Sequence, residues 1–145
     1  MTISIKKIVL WRSEVENKPG ILAGILEPLA NAGADLHVVM GYRYTGDPNK
    51  AAIEIYPVSG KRSVAAAQGA GMSASTIPTL LVEGDNRRAL GHAISKALSE
   101  AGINLNFLCT QVIGRRYSAV VGFESENDAR KAASLIKKVT AVRKK

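Results

Sequence analysis

The chain has 145 residues, of which 46% are hydrophobic and only 5% aromatic. A core must therefore be built mainly from Ile, Leu, Val and Ala, which suits helices packed on a sheet and argues against an aromatic platform for single-stranded nucleic acid. Lys and Arg number 20 against 12 Asp and Glu, giving a net charge of +8. Much of this excess lies at 137–145, where we expect a solvated terminus; an acidic partner, nucleic acid or a membrane surface is the alternative.

Cys109 is the only cysteine, so no intrachain disulfide can form. Its place in an apolar strand predicts a buried structural thiol. The segment 1–11 lacks the apolar stretch of a signal peptide, and no apolar run approaches the roughly 20 residues that span a bilayer. The sequence therefore predicts a cytoplasmic protein that makes no membrane contact.

An internal repeat organises the chain. Residues 14–36 align with 83–105 without a gap at an offset of 69, with seven of 23 positions identical. In both copies the segment reads as loop, helix, turn and strand. Each helix carries an apolar stripe and is followed by a glycine, Gly33 or Gly102, that suits the left-handed position closing a helix. Asn17 and Asn86 precede the helices and are candidate helix caps.

The predicted elements follow one another in the same order twice. The first copy has a strand at 3–11, a helix over 21–31, a hairpin of strands around the turn 45–50, a short Ala-rich helix within 61–72 and a strand at 73–77. The second has a strand at 77–83, a helix over 90–101, a hairpin around 114–116, a helix over 124–139 and a final strand at 139–143. The order predicts two βαββαβ modules with antiparallel sheets, residues 1–75 and 76–145.

The chain offers no catalytic constellation. His37 and His92 are far apart and belong to no zinc-binding pattern, and no nucleophile stands beside a base. We therefore expect no enzymatic activity, no metal and no cofactor.

The segment 16–22, ENKPGIL, is the strongest candidate for a ligand site. The amides of Gly20, Ile21 and Leu22 would point out of a helix amino terminus, which favours a carboxylate. Asn17 could bind the ligand's polar groups, and Asp35, at the start of the next strand, could pair with an ammonium. Donors for a carboxylate together with an acceptor for an ammonium predict a site for an amino acid. The alternative is that Asn17, Pro19 and Gly20 only cap the helix while Asp35 is a turn residue.

The arrangement of strand, N-x-P-G-I-L, helix, A-G-x-(D/N)-L and strand resembles the ACT domain, and the resemblance covers essentially the whole chain as two modules. It implies an α+β, ferredoxin-like fold with helices on one face of each sheet, and effectors, commonly amino acids, bound at module interfaces. Carried over by position, the effector contacts fall on one set of residues in the first module and on a matching set in the second: Asn17, the amides of Gly20, Ile21 and Leu22, and Asp35; then Asn86, the amides near Ala89 and Leu90, and Asn104.

Both modules depart from the pattern. Asp35 stands where serine-binding members have Asn, and Arg87-Arg88-Ala89 replaces the x-Pro-Gly turn, so we expect a differently shaped loop or different ligand there. The resemblance implies a regulatory protein that binds a small effector, with a homodimer and a partner enzyme as expected associations. The alternative is a non-catalytic interaction module, or a regulatory subunit of a metabolic enzyme, with vestigial sites. Nucleic-acid binding ranks below both, because no recognition helix accompanies the charge.

Overall fold

A computed structural model describes residues 3–141, which fall into two compact units. We call residues 9–76 the first module, and residues 3–8 together with 77–141 the second module; each is described by itself. The elements in chain order are β1 (Ile3–Ile8), β2 (Trp11–Glu16), α1 (Ile21–Asn31), β3 (Val38–Arg43), β4 (Lys50–Tyr56), α2 (Lys61–Gly69), β5 (Ser73–Ala74), β6 (Thr79–Asp85), α3 (Leu90–Glu100), β7 (Leu105–Ile113), β8 (Arg116–Phe123) and α4 (Glu126–Ala141).

The first module is a four-stranded antiparallel sheet with strand order β3-β4-β2-β5. Helix α1 has the apolar stripe that its periodicity predicts, with Ile25 and Leu29 buried against Ile53 and Ile55 of β4. The short helix α2 ends at Gly69, as the interrupting glycines predict. Gly33 has φ +81° directly after the end of α1, which confirms its role in closing the helix.

The second module has strand order β1-β6-β8-β7, and its outer strand β1 comes from the amino-terminal end of the chain. The prediction of one strand over 3–11 in the first module is therefore wrong. Residues Ile3 to Ile8 pair antiparallel with Gly84 to Thr79 of β6, whereas β2 begins only at Trp11 and pairs with β4 and β5. The expected division at 1–75 and 76–145 must be corrected by moving residues 3–8 into the second module.

The predicted final strand at 139–143 is also wrong over its described part, because Val139–Ala141 continue helix α4; its remaining residues lie outside the described part of the chain. The fourth position of that sheet is filled by β1, whose Ile3 and Ile5 pack against the core of the second module. Ser125 caps α4 as expected, since its hydroxyl accepts a hydrogen bond from the Asp128 amide at 3.1 Å.

Cys109 is exposed, so the expected buried thiol is wrong. It lies on the edge strand β7 and pairs with Val120, so its side chain is on the opposite face of the sheet from Ala119 and Val121, which belong to the core. Across residues 3–141, no helix combines the length and apolar character needed to cross a membrane.

The exchange of β1 gives a testable prediction. Ile5→Ala should lower the free energy of unfolding by about 1–2 kcal/mol, below the usual cost for a fully buried isoleucine because Ile5 is only half-buried. Hydrogen exchange should locate the effect: amides of β6 and β8 should exchange faster than in the wild type, while those of β2 and β4 should not change. Faster exchange in β2 and β4 alone would show that the strand belongs to the first module.

Candidate ligand site

A left-handed turn delivers the chain into α1. Gly20 has φ +87° and directly precedes the helix, and no side chain caps it. The Ile21 amide donates to the Lys18 carbonyl at 3.3 Å, and the Gly24 amide donates to the Gly20 carbonyl at 3.0 Å. Within residues 3–141, no oxygen accepts a hydrogen bond from the Leu22 amide. One donor at the positive end of the helix is therefore available to an anion.

Asn17 does not cap the helix, which corrects the capping prediction for this residue. Its amide donates to the Asn49 carbonyl at 2.8 Å, and its side-chain Nδ2 donates to the Pro48 carbonyl at 3.1 Å. Both bonds fasten the loop before α1 to the turn between β3 and β4. The side-chain Oδ1 of Asn17 remains as an acceptor for a ligand.

An open cavity of about 230 Å³ lies beside this turn. Its walls come from the end of β2, the first turn of α1 and strands β3 and β4, and they include Val15, Asn17, Ile21, Leu22, Tyr42 and Arg43. The structure thus brings together three of the predicted residues, Asn17, Ile21 and Leu22. It adds Arg43, whose guanidinium can pair with a carboxylate.

Sequence reasoning missed Arg43, although strand alternation could have found it. Residues Val39, Gly41 and Arg43 alternate along β3, and their partners on β4 are Ile55, Ile53 and Ala51. Ile53 and Ile55 belong to the core beneath α1. Arg43 therefore lies on the helix-covered face of the sheet, at the end of β3 that adjoins the Gly20 turn.

Tyr42 is fixed by a polar cluster on the opposite face of β3. Its hydroxyl donates to Glu54 Oε2 at 3.0 Å, and Glu54 is buried, with 1% of its surface exposed. Arg12 Nε lies 4.0 Å from Glu54 Oε1, and the Arg12 guanidinium also donates to the Tyr44 hydroxyl. Burial and the nearby Glu54 carboxylate raise the pKa of Tyr42. The cluster holds the strand that forms one wall of the cavity.

Asp35 does not meet the other candidate residues within one module. It follows the carboxyl end of α1, whose 11 residues separate it from Gly20 by about 16 Å. Its carboxylate lies 3.3 Å from His37 Nε2, and its side chain is 93% exposed. A single copy of the first module therefore brings Asn17, Ile21 and Leu22 together but not Asp35.

The second module repeats the turn with a different sequence. Ala89, at the position of Gly20, is left-handed with φ +62°, and the Leu90 amide donates to the Arg87 carbonyl at 3.3 Å. The Asn86 amide donates to the Arg115 carbonyl at 2.8 Å, matching the bond from Asn17 to Asn49. The expectation of a differently shaped loop is thus wrong for the backbone.

The remaining candidates of the second module lie apart. Leu90 is buried, with 1% of its surface exposed, so only its backbone could face a ligand. Asn104 follows the carboxyl end of α3 and donates to Glu124 Oε1 at 3.1 Å. As in the first module, the two ends of the helix keep the two halves of the candidate site separate.

The described residues contain no group of three or more His, Cys, Asp and Glu side chains that could hold a metal ion. His37 lies in the loop before β3, and His92 lies on α3 of the other module.

Known proteins resemble this chain in fold rather than in sequence. No family model matches it, and no curated protein matches its sequence. Protein BT0572 from Bacteroides thetaiotaomicron is 13% identical with a TM-score of 0.74, covering 94% of this chain and 90% of that chain. The ligand-free regulatory subunit of aspartate kinase from Thermus thermophilus is 13% identical with a TM-score of 0.63, covering 94% and 95%.

The alpha and beta subunits of an aspartokinase are also similar, with 14% identity, a TM-score of 0.65 and coverage of 98% of this chain and 99% of that chain. Together with the strand orders above, these similarities confirm the predicted fold class. The chain consists of two ferredoxin-like βαββαβ modules in tandem, the fold of the regulatory subunits of aspartate kinase.

The two left-handed turns form a matched pair for measurement. A left-handed alanine costs about 1 kcal/mol relative to glycine, because its Cβ crowds the backbone. Ala89→Gly should therefore raise the free energy of unfolding by about this amount in urea, and Gly20→Ala should lower it by a similar amount. No atom lies within 4 Å of a Cβ built at Gly20, so the backbone conformation alone sets the second effect. If neither substitution changes the free energy of unfolding, the two turns are not left-handed.

Proposed function

We propose that this protein is a non-catalytic regulatory protein that binds an amino acid at a site formed by two copies of the chain. The observation that carries the proposal is the Leu22 amide, which has no acceptor among residues 3–141 and belongs to a residue that lines an open cavity at the start of α1. The fold that this chain shares with the regulatory subunit of aspartate kinase from Thermus thermophilus supports the assignment to regulation.

The carboxylate of the amino acid would bind in the first module. The Leu22 amide offers a donor at the positive end of the α1 dipole, and Arg43 contributes a full positive charge to the same cavity. Asn17 Oδ1 would accept from a polar group of the ligand. Gly20 does not line this cavity; it lines a neighbouring one together with Lys18, Pro19 and Ile21, so its part is to set the turn that leads into α1.

The ammonium group would bind to Asp35 of a second copy. Strand β3 is an edge of its sheet, and Val39 and Tyr42 on it are 44% and 46% exposed. If two copies pair their β3 strands about a two-fold axis, the strands run antiparallel and so do the two α1 helices. The amino end of one α1 then lies beside the carboxyl end of the other. This pairing would bring Asp35 to the cavity that its own module cannot reach.

A calorimetric panel of the twenty amino acids tests binding, and subunit mixing tests where the site is. We expect Asn17→Ala and Asp35→Ala each to abolish saturable binding of the amino acid that the wild type selects. Both residues are exposed, so both variants should fold. A random 1:1 mixture of the two variants should recover about a quarter of the wild-type sites, since half of the dimers have one intact site each.

Asn127→Ala, an exposed position on α4 of the second module, serves as the control and should bind like the wild type. If the folded wild type binds none of the twenty amino acids, the proposal is overturned. If the mixture recovers nothing while the wild type binds, the site does not use two copies.

The exposed apolar edge of the second module favours a further candidate function, that of an interaction module. Strand β7 is the outer strand of its sheet, and three large apolar side chains on it are exposed: Leu108 at 48%, Val112 at 47% and Ile113 at 66%. An edge strand of nine residues with such side chains favours pairing with another chain. A second copy or a partner enzyme would cover it.

Val112→Lys should separate the edge from its partner, because a lysine on the strand would be desolvated by pairing. We expect the dimer dissociation constant to rise by at least about tenfold in sedimentation equilibrium. Ser134→Lys on the exposed face of α4 adds the same charge elsewhere and should leave the constant unchanged. A wild type that remains monomeric at its highest soluble concentration would contradict self-association and leave a different protein as the partner.

A further inference from the structure

The second module contains an apolar cavity beneath helix α3. The cavity has a volume of about 180 Å³ and lies between helix α3 and strands β6, β7 and β8. Its floor is buried and apolar, formed by Val82, Leu98, Ala119 and Val121, each no more than 2% exposed. None of the 11 residues that line it is charged.

Comparison of the two modules shows how the cavity arises. At the repeat offset of 69, Gly91 and Ser95 of α3 stand where α1 has Leu22 and Leu26. The strand registers give a third exchange: Thr110 pairs with Ala119, whereas Gly41, its counterpart in the first module, pairs with Ile53. Leu22, Leu26 and Ile53 are thus replaced by the smaller Gly91, Ser95 and Ala119, while Gly41 is replaced by the larger Thr110.

Among the residues that line the cavity, Ser95 of α3 and Leu108 and Thr110 of β7 are exposed to solvent, and Gly91 is half-buried. The Ser95 hydroxyl is already satisfied, because it donates to the Gly91 carbonyl at 2.7 Å. The interior therefore offers apolar contact with no charge to pair and few hydrogen bonds, conditions that favour a hydrocarbon group over water.

We propose that the second module binds a small apolar group in this cavity. An apolar cavity of about 150 Å³ is large enough to bind benzene, so this one accepts a benzene-sized ring or a branched chain of four or five carbons. The group comes either from a neutral molecule or from the side chain of an apolar amino acid. The cavity shares no residue with the candidate amino-acid site at Gly20, so this binding stands or falls independently of the proposed function.

Methyl NMR of the full chain tests the proposal, with benzene and leucine as the probes. Saturable shifts are expected at the methyl groups of Val82, Leu98, Leu108 and Val121. The corresponding methyl groups of the first module, on Leu29, Val39 and Ile55, serve as an internal reference in the benzene titration, where they should not move; in the leucine titration the four methyl groups of the second module alone decide the result. Shifts with benzene alone would identify a neutral ligand as the source, and shifts with leucine would identify an amino-acid side chain.

The double variant Gly91→Leu/Ser95→Leu restores the leucines of the first module and should weaken benzene or leucine binding by at least about tenfold, since the space becomes filled. A Cβ at Gly91 meets no atom within 4 Å, so the helix accepts the change. Each single variant fills less of the cavity and should weaken binding less. His92→Leu adds a leucine on the exposed side of α3 and should bind like the wild type.

Three results would overturn the proposal. Neither probe shifts the four methyl groups up to its solubility limit, or the shifts persist in the folded Gly91→Leu/Ser95→Leu variant. In the third, the methyl shifts follow protein concentration without any probe, which would show that a side chain of a second copy occupies the cavity.

Discussion

The left-handed residue before each first helix is the constraint on which the candidate sites depend. The chain leaves β2 or β6, reverses direction and enters a helix, and Gly20 or Ala89 supplies the reversal. The backbone makes the reversal, and no side chain caps the amino end of either helix. The amide of Leu22 is left without an acceptor in the described part of the chain, next to a cavity rather than inside the core.

The second module keeps this turn with an alanine in an unfavourable conformation. Such strain persists only where surrounding interactions determine the backbone. Here the backbone hydrogen bonds from the Asn86 amide to the Arg115 carbonyl and from the Leu90 amide to the Arg87 carbonyl reproduce those of the first module. Their lengths, 2.8 and 3.3 Å, are the same in both modules. The bonds, rather than the Pro-Gly sequence, thus hold the turn. This explains why the departure at Arg87-Arg88-Ala89 leaves the backbone unchanged.

The periodicity of the sequence predicts the helices correctly, but it does not predict which strands pair. Ile25 and Leu29 recur at helical spacing, and Gly33 closes the helix locally, so both features can be predicted from neighbours in the chain. The pairing of Ile5 with Val82 joins residues far apart in sequence. The alternation of apolar and polar residues over 3–11 continues across Val9 and Leu10, where the structure separates β1 from β2. This alternation does not indicate which sheet a strand joins. The sequence likewise places Asp35 only 15 positions after Gly20, and it does not show that the length of α1 keeps the two residues apart within one module.

One helix position separates the chemistry of the two modules. Leu22 and Gly91 are equivalent, and each borders the cavity of its own module. The cavity beside Leu22 includes the polar Asn17 and the charged Arg43, whereas the cavity beside Gly91 is lined by no charged residue. A duplicated scaffold thereby carries two cavities of different chemistry with little change of backbone. If the polar site needs a second copy, its ligand must also stabilise the association of copies, because binding and assembly are linked reciprocally. A small effector could then control the assembly of the chain without any change of fold.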